Sequence, residues 1–150
     1  MKKCNVIGLD LAKNVIQVCK ISSDGELIYN KAVSSNKLRS LLVKEKSSIV
    51  ALEGCGSCHY WGRLAQQYGH DVRIISPKKV KAFLQGQKTD ANDAIAIAVA
   101  SRAPNIKPAR VLTNEEQGLQ SVSKMRDLLD KQKLQLSNQV RGLLLEFGII

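Results

Sequence analysis

Residues Lys88 to Ala100 read KTDANDAIAIAVA, and the assignment of the second half of this stretch decides the fold. Ile95, Ile97 and Val99 alternate with alanine as they would on a strand, whereas four alanines in seven residues favour a helix. We assign a helix. It then carries Asp90 and Asp93 one turn apart at its start, able to face one crevice.

Upstream, three strands come in succession. CNVIGLD (4–10) reads as a short buried strand, NVIQVCKI (14–21) alternates as its neighbour, and the turn SSDGE leads into ELIYNKAV (26–33), a meander. The pattern then switches. Leu38, Leu41 and Leu42 share a helical face between Asn36 and Lys46, SSIVALE (47–53) is a strand ending in an acid, and GCGS turns into a helix. That helix spaces Tyr60 or Trp61, Leu64, Ala65 and Tyr68 at helical intervals, with Gly69 placed to stop it, and VRIIS (72–76) is a fifth strand. Strand-helix-strand units return strands in parallel, so the whole is an α/β fold with a mixed five-stranded sheet and flanking helices.

The segment after Pro77, PKKVKAFLQGQK, predicts a short helix and a loop. Domain boundaries follow from composition: 1–103 as a folded domain, 104–112 as a linker containing most of APNIKP, and 113–150 as a long helix. TNEE (113–116) has the capping-box pattern, and Val122, Met125, Leu129, Leu136, Val140, Leu143 and Phe147 follow three/four spacing, interrupted by Gln132. This pattern suits a coiled-coil arm joining two copies, or a helix packed on its own domain.

Two further acids join the pair. Asp10 ends the first strand and Glu53 the fourth. If those strands are parallel neighbours, both side chains emerge at the carboxyl edge of the sheet, where open α/β sheets place their sites. Carboxylates crowded at 4 Å repel by about 4 kcal/mol at an effective dielectric near 20, so four together call for a cation. Oxygen-only ligation selects a hard ion such as Mg²⁺ or Mn²⁺, which supports phosphodiester cleavage. Taken singly, each acid has a plainer role: Asp90 as a helix cap, Asp93 favouring the helix dipole, Asp10 closing a turn, Glu53 capping the next helix.

Composition points the same way. The chain has 150 residues, about one domain, with 44% hydrophobic content and 23 Lys and Arg against 13 acids, a net charge of +10. Such a surface favours a polyanion, nucleic acid first. The start, MKKCNVIGLD, has no apolar stretch of secretory length, and nothing approaches the roughly 20 apolar residues of a membrane span, which predicts a soluble cytoplasmic protein with no membrane partner. Arg73, Lys78, Lys79, Lys81 and Lys88 form a run of five basic residues with no acid among them. These are candidate phosphate contacts, with Lys13 and Arg63 as weaker ones. A solvated helix face would show the same charges. Aromatic residues make up only 4%, which argues against a stacking platform for single strands and for backbone contact and shape reading of a duplex or structured RNA.

Cys55 and Cys58 offer a rival reading. CGSC after a strand and at a helix start has the setting of a thiol redox pair. The extended CGSCH also matches a c-type haem attachment pattern, but no export signal accompanies it, and His59 and His70 give no recognisable second half for a zinc site. A thiol role would leave the basic surface and the acids unused.

Five motifs, in order and at suitable spacing over essentially the whole chain, resemble one family: GLDLAK (8–13), EGCGSCHYWGR (53–63), RIISPKKVKAF (73–83), KTDANDAIAIA (88–98) and RGLLLEFG (141–148). The chain is similar to the N-terminal half of DEDD transposases of the insertion-sequence one-hundred-and-ten family, which also includes the pilin-gene invertases. The resemblance implies a RuvC-like, RNase H-type fold with Asp10, Glu53, Asp90 and Asp93 as a catalytic, metal-binding tetrad acting on DNA. It also implies a structured guide RNA, and a further C-terminal domain bearing a serine nucleophile, without which strand exchange is incomplete. The alternative is a non-catalytic nucleic-acid-binding or dimerisation module.

Overall fold

The computed structural model describes residues 4–13, 15–87 and 89–149. Five strands form one sheet in the order β3-β2-β1-β4-β5, with β1 Val6–Leu11, β2 Ile16–Ile21, β3 Leu27–Val33, β4 Ile49–Glu53 and β5 Asp71–Ile75. β1, β2 and β3 are the antiparallel meander, and Gly25, with φ of 99°, supplies the left-handed residue in the β2–β3 turn. β4 pairs in parallel with β1, and β5 in parallel with β4, because α1 (Ser35–Lys44) and α2 (Cys58–Gln67) carry the chain back over one face.

Strand alternation divides the core in two. Ile7, Leu9, Val18, Val50, Leu52 and Ile74 point to the face covered by α1 and α2, where Leu38, Leu42, Trp61 and Ala65 are buried against them. Each fully buried leucine or isoleucine contributes about 1.5–3 kcal/mol there. His70 is buried at this side as a structural pin: its Nδ1 accepts from the Ser48 N–H at 3.2 Å, so Nε2–H donates to the Leu42 carbonyl at 2.8 Å.

Val6, Cys19, Ile21, Ala51 and Ile75 point to the opposite face, covered by α4 (Asp90–Ala100). The ambiguous run is therefore a helix, with Ala94, Ala96, Ile97, Ala98 and Ala100 buried. Its alanines permit an unusually close approach to β1. A Cβ placed on Gly8 would lie 2.4 Å from the Ala94 carbonyl oxygen and 2.8 Å from the Ala98 Cβ. The isolated glycine in a strand marks this helix-on-backbone contact.

Arginines fasten the far end of α4. Arg73 on β5 donates to the carbonyl of Ser101, the C-cap residue, at 2.7 Å, and Arg102 donates to the carbonyls of Cys4 and Ser22 at 3.0 and 2.6 Å. Between β5 and α4 the chain forms α3 (Pro77–Val80) and a 3-10 turn at Lys81–Phe83.

Two compact units result, one ending at Val111 and the other beginning at Leu112. Much of the segment expected to be a linker, 104–112, lies in the first unit. Ala109 forms an antiparallel bridge with Ile74, its N–H bonding the Ile74 carbonyl at 2.7 Å, and Val111 packs on the core against Gly62. The prolines that suggested a linker also suit an edge segment that pairs at a single residue.

The second unit contains α5 (Asn114–Glu146), opened by a complete capping box between Thr113 and Glu116. None of its 33 residues is buried, and Val122, Met125, Leu129, Leu136, Val140 and Leu143 are exposed. Among the described residues no helix is long and apolar enough to cross a membrane.

Candidate functional site

Strand register brings the first two acids together. Leu9 is opposite Leu52 in the parallel β1–β4 pair, so the next residues along, Asp10 and Glu53, sit side by side at the carboxyl ends. Both belong to the alternate set that faces α4, because Asp10 follows Val6 and Gly8 in phase and Glu53 follows Ala51. β1 continues one residue beyond the expected end, to Leu11, so Asp10 is fixed by the ladder opposite Gln17 instead of closing a turn.

Helix α4 delivers the other two. Thr89 is its N-cap, accepting the Asn92 N–H, which leaves Asp90 in the first helical position and Asp93 one turn on. Asp90 is thus not the cap. The N-cap position of α2 is Ser57, four residues past Glu53.

Asp10, Asp90 and Asp93 each offer a carboxylate oxygen, and the three oxygens lie within 4.8 Å of one another. Glu53 is outside that group of three but lines the same cavity, of about 500 Å³, together with Pro77, Val80, Lys81 and Leu84. Asp10, Glu53 and Asp93 are half-buried and Asp90 is exposed. Two carboxylates at this separation repel by about 3–4 kcal/mol at an effective dielectric near 20, before solvent screening lowers it. The donor set is all oxygen, open on one side, and of a size that fits a hard divalent cation.

The basic candidates divide. Lys81 forms part of the cavity wall, and Lys78 and Lys79 are exposed on α3 next to it. Lys13 is exposed just past β1, Arg63 is half-buried on α2, and Lys88 lies outside the described residues. Arg73, expected among the phosphate contacts, is half-buried and engaged elsewhere: it pairs with Asp71 at 3.1 Å and holds the end of α4 through Ser101. A charged residue in a basic run and a helix-end anchor look alike in sequence, and only the sheet face decides between them.

The two cysteines of the CGSC turn differ in setting: Cys58, at the start of α2, is buried, and burial pushes its thiol pKa up. Cys55 is exposed in the preceding turn, and both are free thiols.

Two residues that sequence reasoning does not single out, Gly8 and Asn30, contact the helix that carries Asp90 and Asp93. Gly8 sets the distance between α4 and β1, and Asn30 bonds to α4 directly. An isolated glycine and a lone asparagine inside strand patterns are the signals that mark such positions.

Comparison with known proteins gives the chain a family and the fold a relative. The family model for IS110-type DEDD transposases, described as a transposase, matches residues 7–149. A probable family 20 transposase of Pseudomonas aeruginosa is 40% identical over 144 residues, covering 96% of this chain and 43% of that protein. The transposase for insertion sequence element IS1111A of Coxiella burnetii is 36% identical over 149 residues, covering 99% and 41%. The chain thus spans less than half the length of these relatives. Among solved structures, Thermus thermophilus RuvC in complex with a Holliday junction substrate superposes with a TM-score of 0.56 at 14% identity, covering 71% of this chain and 99% of that one. At that identity the likeness establishes the fold, which is RuvC-like and RNase H-like. With a family match over nearly its full length and this fold beneath it, the chain belongs to the IS110 family of DEDD transposases.

Proposed function

We propose that this chain is the metal-dependent catalytic part of a DNA transposase, in which Asp10, Glu53, Asp90 and Asp93 hold Mg²⁺ or Mn²⁺. The observation that carries the reading is the meeting of three carboxylate oxygens within 4.8 Å, drawn from a strand end and a helix start 80 residues apart in sequence. When bound, such ions supply activation of an attacking oxygen and stabilisation of a leaving one during phosphodiester cleavage. The protein's part is to hold the four carboxylates at one end of the sheet, and to bring a DNA phosphate over the cavity. Lys81 on the cavity wall and Lys78 and Lys79 beside it are placed to hold the flanking phosphates. Lys13, Arg63 and Lys88 extend the same basic set in sequence.

The guide RNA is proposed on the family resemblance and on the net charge of +10. A homo-oligomer through α5 is supported by the exposed apolar residues along that helix. Strand exchange in the whole protein would also draw on a serine-bearing C-terminal domain.

Isothermal titration of Mn²⁺ into the wild type and Asp10→Ala tests the reading. Saturable binding by the wild type, weakened at least about tenfold in the variant, is the expected result. Equal weak binding in both would leave a passive nucleic-acid-binding module as the better account.

A further inference from the structure

Helix α4 is held tightly at its middle and at its C-terminal end, yet the two acids are at its N-terminal end. Gly8 contacts Ala94 and Ala98, and Arg73 and Arg102 fasten the residues around Ser101. Asp90 precedes all of these contacts, and its turn is capped locally by the exposed Thr89. Helix ends fray first, so the ligand geometry requires a hold on that turn.

We propose that Asn30 and Gln17 are positioning residues for the metal site, acting through a hydrogen-bond relay from the sheet to the first turn of α4. The Asn30 Nδ2 donates to the Ala91 carbonyl at 2.9 Å, across 61 residues of sequence, and its Oδ1 accepts from the Gln17 Nε2 at 2.7 Å. Ala91 lies between Asp90 and Asp93. Gln17 is the ladder partner of Asp10. The relay therefore starts beside one ligand and ends between two others.

The chemistry of the relay fixes its direction. A backbone carbonyl only accepts, so the Asn30 amide must turn its NH₂ to Ala91 and its oxygen to Gln17, and the Gln17 amide must in turn present its NH₂. The Ala91 carbonyl retains its second lone pair for the helix ladder, so the bond adds to the helix without replacing one of its own. Geometry on the sheet agrees. Asn30 is opposite Cys19, which faces α4, and Gln17 is its diagonal neighbour on the same face, within reach of a long side chain. Both residues are half-buried, beside the apolar cluster that packs on α4. Partners that orient ligands from behind typically change metal affinity 10–100-fold when removed.

The inference rests on the proposed metal site, and the test separates the two. Full-length Asn30→Ala, Gln17→Leu, Asn30→Gln and wild type are compared by Mn²⁺ titration and by amide hydrogen exchange. Expected for Asn30→Ala is an affinity loss of about tenfold or more. Faster exchange should be confined to the first turns of α4, with the β1 and β4 amides unchanged. Gln17→Leu, which removes only the bond that orients the Asn30 amide, gives a smaller change of the same sign and keeps the test open should Asn30→Ala fold poorly. Asn30→Gln retains both donor and acceptor and restores part of the affinity. Wild-type affinity in both Asn30→Ala and Gln17→Leu overturns the relay. Should the wild type itself bind no Mn²⁺, the metal reading fails, and the exchange data decide the relay alone: unchanged protection of α4 in Asn30→Ala rejects it.

Discussion

Replacing Gly8 with alanine tests how the tertiary contact creates the site. The added Cβ would meet the Ala94 carbonyl oxygen at 2.4 Å, the Ala98 Cβ at 2.8 Å and the Ala98 nitrogen at 3.0 Å, and two of these three atoms are backbone. No rotamer change can relieve a clash with backbone. Bringing the first contact even to 3.0 Å moves α4 off β1 by about 0.6 Å. Overpacking of this kind costs about 1–3 kcal/mol. For a domain near 100 residues that corresponds to a fall of roughly 4–24 °C in the thermal midpoint. The same movement carries Asp90 and Asp93 away from Asp10. Metal–oxygen distances tolerate only about 0.2 Å of misfit, so Mn²⁺ affinity should fall by more than the stability change alone explains. Gly118→Ala is the control, since nothing lies within 4 Å of a Cβ there. Thermal denaturation and Mn²⁺ titration on the three proteins give the answer. A Gly8→Ala midpoint within about 2 °C of wild type, with unchanged metal affinity, would refute the claim that this close approach sets the ligand spacing.

Other expectations concern charge and thiols. Alanine at Lys78, Lys79 and Lys81 together should weaken DNA binding and flatten its dependence on salt by about 0.9 in log–log slope for each phosphate no longer neutralised. Arg73→Ala should instead lower stability by about 1.5–3 kcal/mol through the Ser101 bond, with the half-exposed Asp71 pair adding little, and leave that slope unchanged; a fluorescence salt titration beside a denaturant melt distinguishes the two. Alkylation near neutral pH should modify Cys55 quickly and Cys58 slowly, because Cys58 is buried and its thiol is pushed toward the neutral form; equal rates by mass spectrometry would contradict that. Burial raises the Cys19 pKa from 9.0 to about 11, so the unfolded chain loses this proton first. Stability should therefore decline as pH rises above about 9 and stop declining from this source above about 11, by on the order of 3 kcal/mol. Tyr29, raised by burial and by Glu45, adds to the same alkaline limb, and comparing Cys19→Ala with wild type isolates the thiol.

Which of these features can be read in advance depends on the range of the interaction behind them. Most strands and helices have a local signature: a short apolar run in β1, alternation in β2, leucine spacing in α1, Gly69 after α2, the Thr113–Glu116 box opening α5. The alanine-rich run is the ambiguous element, because its period suits both states, and its helical propensity agrees with the observed helix. Single residues with two plausible roles are harder. Thr89 and not Asp90 caps α4, Arg73 binds a helix end as well as the exposed Asp71, and Ala109, just past the two prolines, joins the sheet edge.

The sequence by itself determined the order of elements, the basic surface and the placement of acids at element ends, since propensity and periodicity act over a few residues. Only the tertiary structure decided that Asp10, Asp90 and Asp93 share one point in space with Glu53 lining the same cavity. That outcome depends on the β1–β4 register and on how closely α4 can approach Gly8. Both are set by steric fit between segments some 40 to 90 residues apart, which no local window of sequence contains.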